Sequence, residues 1–214
     1  MAVLAIDTAG PVVGVYLDSE SSPFHYTERI TRGAEITVSV AIDKAIKSAS
    51  LSHVVVTVGP GAFTSLRVGV AMAIGVAMAR GCKVSQVSSL RARAAIEPKG
   101  LTLALLDGRK GRAYAALYED GVQITDELDV DPRVAVELAG GRPFVAVGEG
   151  AEVWRDLVQA SGGQVSDAAC RPPLEELVSI SKSGELLVEP HEVVLNYIRE
   201  PDAKLPKSAG AYNG

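Results

Sequence analysis

Two stretches of this chain, a hundred residues apart, follow the same plan. Residues 3–18 read VLAIDTAGPVVGVYLD and residues 103–120 read LALLDGRKGRAYAALYED. Each is an apolar run closed by an aspartate (Asp7, Asp107), a tight glycine-containing turn, and an alternating strand that ends on an acid. Alternation at period two is the mark of a half-buried strand. A second pair follows in the same order: HVVVTVGPG at 53–61 and PFVAVGEG at 143–150. Both are short β-branched runs that reach Gly-x-Gly and lead into a helix. Asp7 to Asp107 is an offset of 100 residues and Gly59 to Gly148 one of 89, so the spacing drifts while the order holds.

Between these landmarks the first copy has a candidate strand at 24–30 and a helix at 34–49. The second has a strand at 122–128 and a helix at 132–139. Pro132 suits a first helical turn, and Gly140-Gly141 suits the stop. Such units are common enough for short patterns to match by chance. The sharper reading is a duplicated α/β unit, each copy holding three antiparallel strands, a helix and a parallel strand. That order is ribonuclease-H-like, and its duplication is the two-lobed actin-like architecture. Glu97-Pro98-Lys99-Gly100 is the expected boundary, because neither a helix nor a strand runs easily through Pro and Gly. It divides the chain into lobes at 1–98 and 99–214. The first carries 9 basic and 7 acidic residues, the second 12 and 19.

Several function classes are disfavoured. A net charge of −5 argues against a wholesale basic surface for nucleic acid, though not against a local patch. Cys82 and Cys170 form no C-x-x-C pair, and His25, His53 and His191 are scattered, so neither a disulfide framework nor a structural metal site is expected. The opening MAVLAIDTAG has no basic segment and meets Asp7 too early for a secretory signal. The longest charge-free apolar run, residues 68–79, falls short of the roughly 20 that span a bilayer. A cytoplasmic protein without a membrane partner is expected. No H-E-x-x-H, no G-x-S-x-G elbow and no P-loop is present, and no catalytic residue is assigned.

Three local features could still carry function. Gly59-Pro-Gly-Ala-Phe-Thr-Ser-Leu-Arg67 joins a strand to a helix, with Thr64 the expected N-cap. A helix start favours an anion, so Asp7, Gly59, Gly61 and Thr64 are candidate nucleotide contacts. A tight turn with no ligand is the competing reading. The helix that follows has Gly69, Ala73 and Ala77 in one row, with Gly75 and Ala79 on an adjacent one. Glycine costs a helix about 1 kcal/mol against alanine, so close approach of a second helix, internal or from a partner, is the expected reason. Arg109-Lys110-Gly111-Arg112 with Tyr114 forms a small basic and aromatic cluster on a turn. A solvated hairpin tip is favoured there over contact with RNA.

Together these segments resemble the TsaB family, formerly YeaZ. VLAIDTAG, TVGPGAFTSLRVGVAMAIGVA, VSSLRARA, LLDGRKGRAYAALYEDG and VVLNYIREPDAK are similar to family stretches, in order along the whole chain. Ala62, Ser65 and Ile74 depart from the usual Ser, Gly and Lys, and Arg32-Gly-Ala-Glu35 lacks the His-Ser that often precedes that Glu. The resemblance implies an actin-like fold and a non-catalytic accessory subunit for threonylcarbamoyladenosine on transfer RNA. That subunit pairs with the catalytic paralogue TsaD and with the ATPase TsaE, or with itself. It has no cofactor of its own, ATP serving at the partner, and meets tRNA only indirectly. The implied contact uses the two N-terminal-lobe helices, with Gly69, Val70, Ala73, Ile74 and Ala77 as partner-facing residues. An actin-like ATPase or kinase, or a peptidase, is the alternative. The tail at 205–214 is expected to fray.

Overall fold

The computed structural model describes residues 1–47, 49–184 and 186–199, so the tail lies outside the described residues. Twelve strands and seven α-helices are found among them. The first sheet begins with β1 (Ala2–Asp7), β2 (Val12–Asp18) and β3 (Phe24–Arg29), followed by α1 (Ala34–Ile46) and β4 (Leu51–Thr57). Then come α2 (Phe63–Arg80), β5 (Lys83–Val87) and α3 (Ser89–Ala94). The second sheet is built from β6 (Leu101–Asp107), β7 (Ala113–Glu119), β8 (Val122–Gln123), β9 (Leu128–Val130), β10 (Phe144–Val147) and β11 (Gly163–Val165). Its helices are α4 (Pro132–Glu137), α5 (Glu149–Val153) and α6 (Arg155–Ala160), and α7 (Leu174–Ser181) and β12 (Leu187–Val188) follow.

The repeat in the sequence is a repeat in topology. The first sheet has the order β12-β5-β4-β1-β2-β3 and the second β11-β10-β6-β7-β8, with β9 also on β7. In each, an antiparallel hairpin opens the unit (β1–β2, β6–β7) and a parallel strand lies on its other side (β4, β10). This is the expected duplicated ribonuclease-H-like, actin-like fold. The two aspartates close the first strand of each unit in the same way. Asp7 Oδ1 accepts the N–H of Ala9 and Asp107 Oδ1 that of Arg109, two residues on in each case. Both are the Asx turns that short polar side chains build.

The division at residue 98 does not describe where the chain goes. α7 packs on β1, β2 and β4, and β12 extends the first sheet beside β5. The C-terminal residues therefore return to the N-terminal unit, closing its second face with Leu174, Leu177 and Val178 against Val3, Ala5 and Val55. The other face of that sheet is covered by α1 and α2, which share one core with β1, β2 and β4.

α2 is apolar enough and, at 18 residues, long enough by composition to cross a membrane, yet one side of it packs on the sheet. It starts at Phe63 with Ala62 as N-cap, so the expected capping role of Thr64 is not found. It stops at Arg80, where Gly81 takes a left-handed φ of 63°.

Candidate functional site

Two small-residue rows run along α2, two residues out of step, and at roughly 100° per residue they lie on opposite sides of the helix. The row Gly69, Ala73 and Ala77 is buried with Val70 in the chain's own core. Gly69 is required there, since a Cβ would fall 2.2 Å from Thr8 Oγ1 in the β1–β2 turn. Ile74 is half-buried against the same core. Gly69, Val70, Ala73 and Ala77 are therefore not free to face a partner, because they seat α2 on its own sheet. The outward row is Ala71, Gly75 and Ala79, all exposed, and a Cβ on Gly75 would meet nothing within 4 Å. Met78 on α2 and Ile36 and Val40 on α1 are also exposed, Ile36 and Met78 each at 68%. α1 and α2 touch each other and cover the same sheet face, so these exposed apolar side chains all stand on the outer side of one helix pair, Ile36 near the start of α1 and Met78 near the end of α2.

The Gly59–Gly61 loop is likewise explained by close chain contacts. A Cβ on Gly59 would fall 2.4 Å from the Asn196 carbonyl oxygen, and one on Gly61 2.5 Å from that of Ala9. Asn196 donates its N–H to the Val58 carbonyl at 2.8 Å, so the C-terminal segment lies across the loop. The two glycines admit backbone where a nucleotide phosphate was a candidate.

Asp7 is also committed internally. It is fully buried, and its Oδ2 accepts from Arg93 Nη2 at 3.1 Å while Oδ1 accepts from Thr57 Oγ1 at 2.8 Å. Arg93, on α3, also reaches Glu149 of α5 at 3.7 Å and donates to the Ser89 carbonyl at 3.2 Å. One guanidinium thus ties the first sheet, the connecting helix and the second unit together. Burial opposes its charge, but Asp7 and Glu149 outweigh that and raise its pKa. Glu149 is pushed up, since burial outweighs the help of Arg93. None of the sequence motifs singles out Arg93. The signal was a cation one turn from Ser89 and Leu90, on the buried side of a short helix. A charge there needs a buried counter-ion.

A cleft of about 830 Å³ opens above this cluster between the two units, with Gly10, Thr64, Asp107 and Glu149 on its walls. Of the four candidate nucleotide contacts only Thr64, exposed, faces it. No three His, Cys, Asp or Glu gather as a metal site among the described residues.

Over residues 28–157, more than half of its length, the chain matches the family model of TsaD, tRNA N6-adenosine threonylcarbamoyltransferase. It is 26% identical to the tRNA threonylcarbamoyladenosine biosynthesis protein TsaB of Bacillus subtilis, over 95% of this chain and 96% of that one. The chain belongs to the TsaB (YeaZ) family. It is 33% identical over 94% of its length to an uncharacterized protein of Mycobacterium leprae, of which it spans only 56%. The solved structure of YeaZ from Pseudomonas aeruginosa superposes with a TM-score of 0.76 at 22% identity, covering 92% of this chain and 99% of that one. That likeness agrees with the fold derived above.

Proposed function

We propose that this TsaB-family chain serves in the biosynthesis of threonylcarbamoyladenosine on tRNA as a non-catalytic accessory subunit. It docks the outer face of α1 and α2 on a TsaD-type catalytic subunit in the cytoplasm. The observation that carries this reading is that Ile36, Val40 and Met78 stand exposed on the outer side of α1 and α2, with open space over Gly75. Exposed apolar side chains gathered on one helix pair offer a surface for a partner, and the bare backbone at Gly75 lets a second helix approach closely. The same face can serve a second copy of the chain when the catalytic subunit is absent, and a TsaE-type ATPase joins the assembled pair.

The fate of Asp7 supports an accessory role over an ATPase, kinase or peptidase. In an actin-like ATPase this carboxylate would serve the metal and phosphate side of the nucleotide. Here Arg93 already supplies the cation, at 3.1 Å and out of contact with solvent. The chain needs no cofactor of its own on this reading.

Mixing the chain with the TsaD-type subunit of its own organism and measuring size in solution tests the proposal. A discrete complex at micromolar concentration is expected. Two separate species would refute it, and ATP turnover by the pure chain, abolished by Asp7→Asn, would restore the enzyme reading.

A further inference from the structure

A second cleft, of about 690 Å³, lies on the other side of the α2 start, between that helix, the β6–β7 turn and the C-terminal segment. This is within the range of small-ligand sites. One wall is a stacked platform. The rings of Phe63 and Tyr197 lie 5.3 Å apart at 32°, and the Arg67 guanidinium sits 3.8 Å over the Phe63 ring. Arg67 Nε donates to the Tyr197 hydroxyl at 2.9 Å, which fixes the planar cation beside the two rings. Phe63 and Tyr197 each remain 39% exposed. The turn carrying Arg109 and Lys110 lines the same cleft, as does Arg199. Arg109 is 73% exposed even though it contacts Asp107.

Charge on this cleft runs against the rest of the molecule. Arg67, Arg109, Lys110 and Arg199 line it with Asp107 as the only acid on its walls, although Arg199 also meets Asp129 at 3.7 Å, in a chain of net charge −5. Cations around an aromatic platform suit a ligand that offers both phosphates and a flat π-face. Unpaired nucleotides do so, because their bases can leave the stack and lie on aromatic rings or guanidinium planes. Paired bases in a duplex present only their edges and backbone. An acidic peptide would satisfy the cations but add no flat face to the stack.

We propose that this cleft binds a single-stranded segment of RNA, with one base on the Phe63–Arg67–Tyr197 platform and adjoining phosphates at Arg109 and Lys110. The choice of RNA rests on the tRNA-modification reading. The sequence had offered the Arg109–Arg112 turn as a solvated tip. In the fold it shares a cleft with an aromatic platform contributed by residues far away in the chain.

The test is fluorescence anisotropy on the full chain alone, with a labelled RNA stem-loop and, separately, its stem as a blunt duplex. The stem-loop should bind at low salt, and the duplex at least about tenfold more weakly. The logarithm of the affinity should fall against the logarithm of salt with a slope of about −0.7 for each phosphate held. Phe63→Leu should weaken stem-loop binding by about 5- to 150-fold, the range for losing one stacked base. Arg109→Gln with Lys110→Gln, on an exposed turn where folding is not at stake, should flatten the salt slope by about 1.4. Thermal melts confirm that each variant is folded. Equal binding of duplex and stem-loop, an unchanged slope in the double variant, or no binding at low salt would each overturn the proposal. Association with the TsaD-type subunit is measured separately, so failure of that contact and failure of this cleft remain distinguishable.

Discussion

The same substitution made twice in one helix should have opposite signs. Gly69→Ala and Gly75→Ala both add one methyl group to α2, and both gain about 0.8–1.0 kcal/mol of helix propensity. At Gly75 nothing lies within 4 Å of the new carbon, so the gain stands alone. For a chain of this size 1 kcal/mol moves the melting temperature by about 2–4 °C, and Gly75→Ala should melt higher by about that much. At Gly69 the methyl would sit 2.2 Å from Thr8 Oγ1 and 3.0 Å from Thr8 Cγ2, with Thr8 fully buried. Forcing atoms into a packed core costs about 1–3 kcal/mol. Set against the propensity gain, Gly69→Ala should lose up to about 2 kcal/mol and melt lower by up to about 8 °C. Thr8→Ala supplies the control. Thr8 Oγ1 has no hydrogen-bond partner, so its removal costs little, and the nearest remaining atom is then Thr8 Cβ at 3.2 Å. On that background Gly69→Ala should lose most of its penalty. Thermal unfolding of the wild type and the four variants settles the matter. Shifts of the same sign and size at the two glycines would refute the assignment of an inner and an outer row.

Three further outcomes follow from the buried groups. Ala73→Leu, in the inner row at a fully buried position, should lower the melting temperature and leave the affinity of the folded protein for its partner unchanged, measured by melts and titration. Arg93→Met should cost about 3–5 kcal/mol in urea denaturation, because it strands the Asp7 and Glu149 carboxylates; adding Asp7→Asn and Glu149→Gln should recover part of it. His53, whose ring nitrogens meet Ser52 and Ser181, is held by burial below its ordinary value of 6.5. The unfolded chain therefore takes up its proton first. Its contribution to stability should be complete above pH 6.5 and be lost as pH falls through the lowered folded value. A stability-versus-pH curve should show that loss, and His53→Gln should remove it.

The strand–turn–strand echo made the duplicated fold legible, because each half repeats a turn whose aspartate bonds to its own backbone. Such information is local. Helix α2 shows where local information stops. Both of its rows are small and apolar, so periodicity cannot say which one the sheet takes. That depends on Thr8, 61 residues earlier, lying under Gly69. The glycines at 59 and 61 looked like a phosphate loop for the same reason. Bare backbone invites an anion or another stretch of chain equally, and here the chain at Ala9 and Asn196 occupies it. The Asp7–Arg93 pair joins residues 86 apart, and the return of α7 and β12 to the first sheet left no pattern in the segments themselves. Both are settled by tertiary packing.

The most direct measurement of the docking claim is a titration of the TsaD-type subunit with the wild-type chain and with an Ile36→Asp, Met78→Asp double variant. Both side chains are 68% exposed in the free chain, so the variant should fold and melt as the wild type does. A charge buried at the centre of an interface costs at least as much as losing a strong contact there, about 2 kcal/mol or more. The variant should therefore bind at least about 30-fold more weakly. Unchanged affinity in a folded double variant would contradict docking through the outer face of α1 and α2.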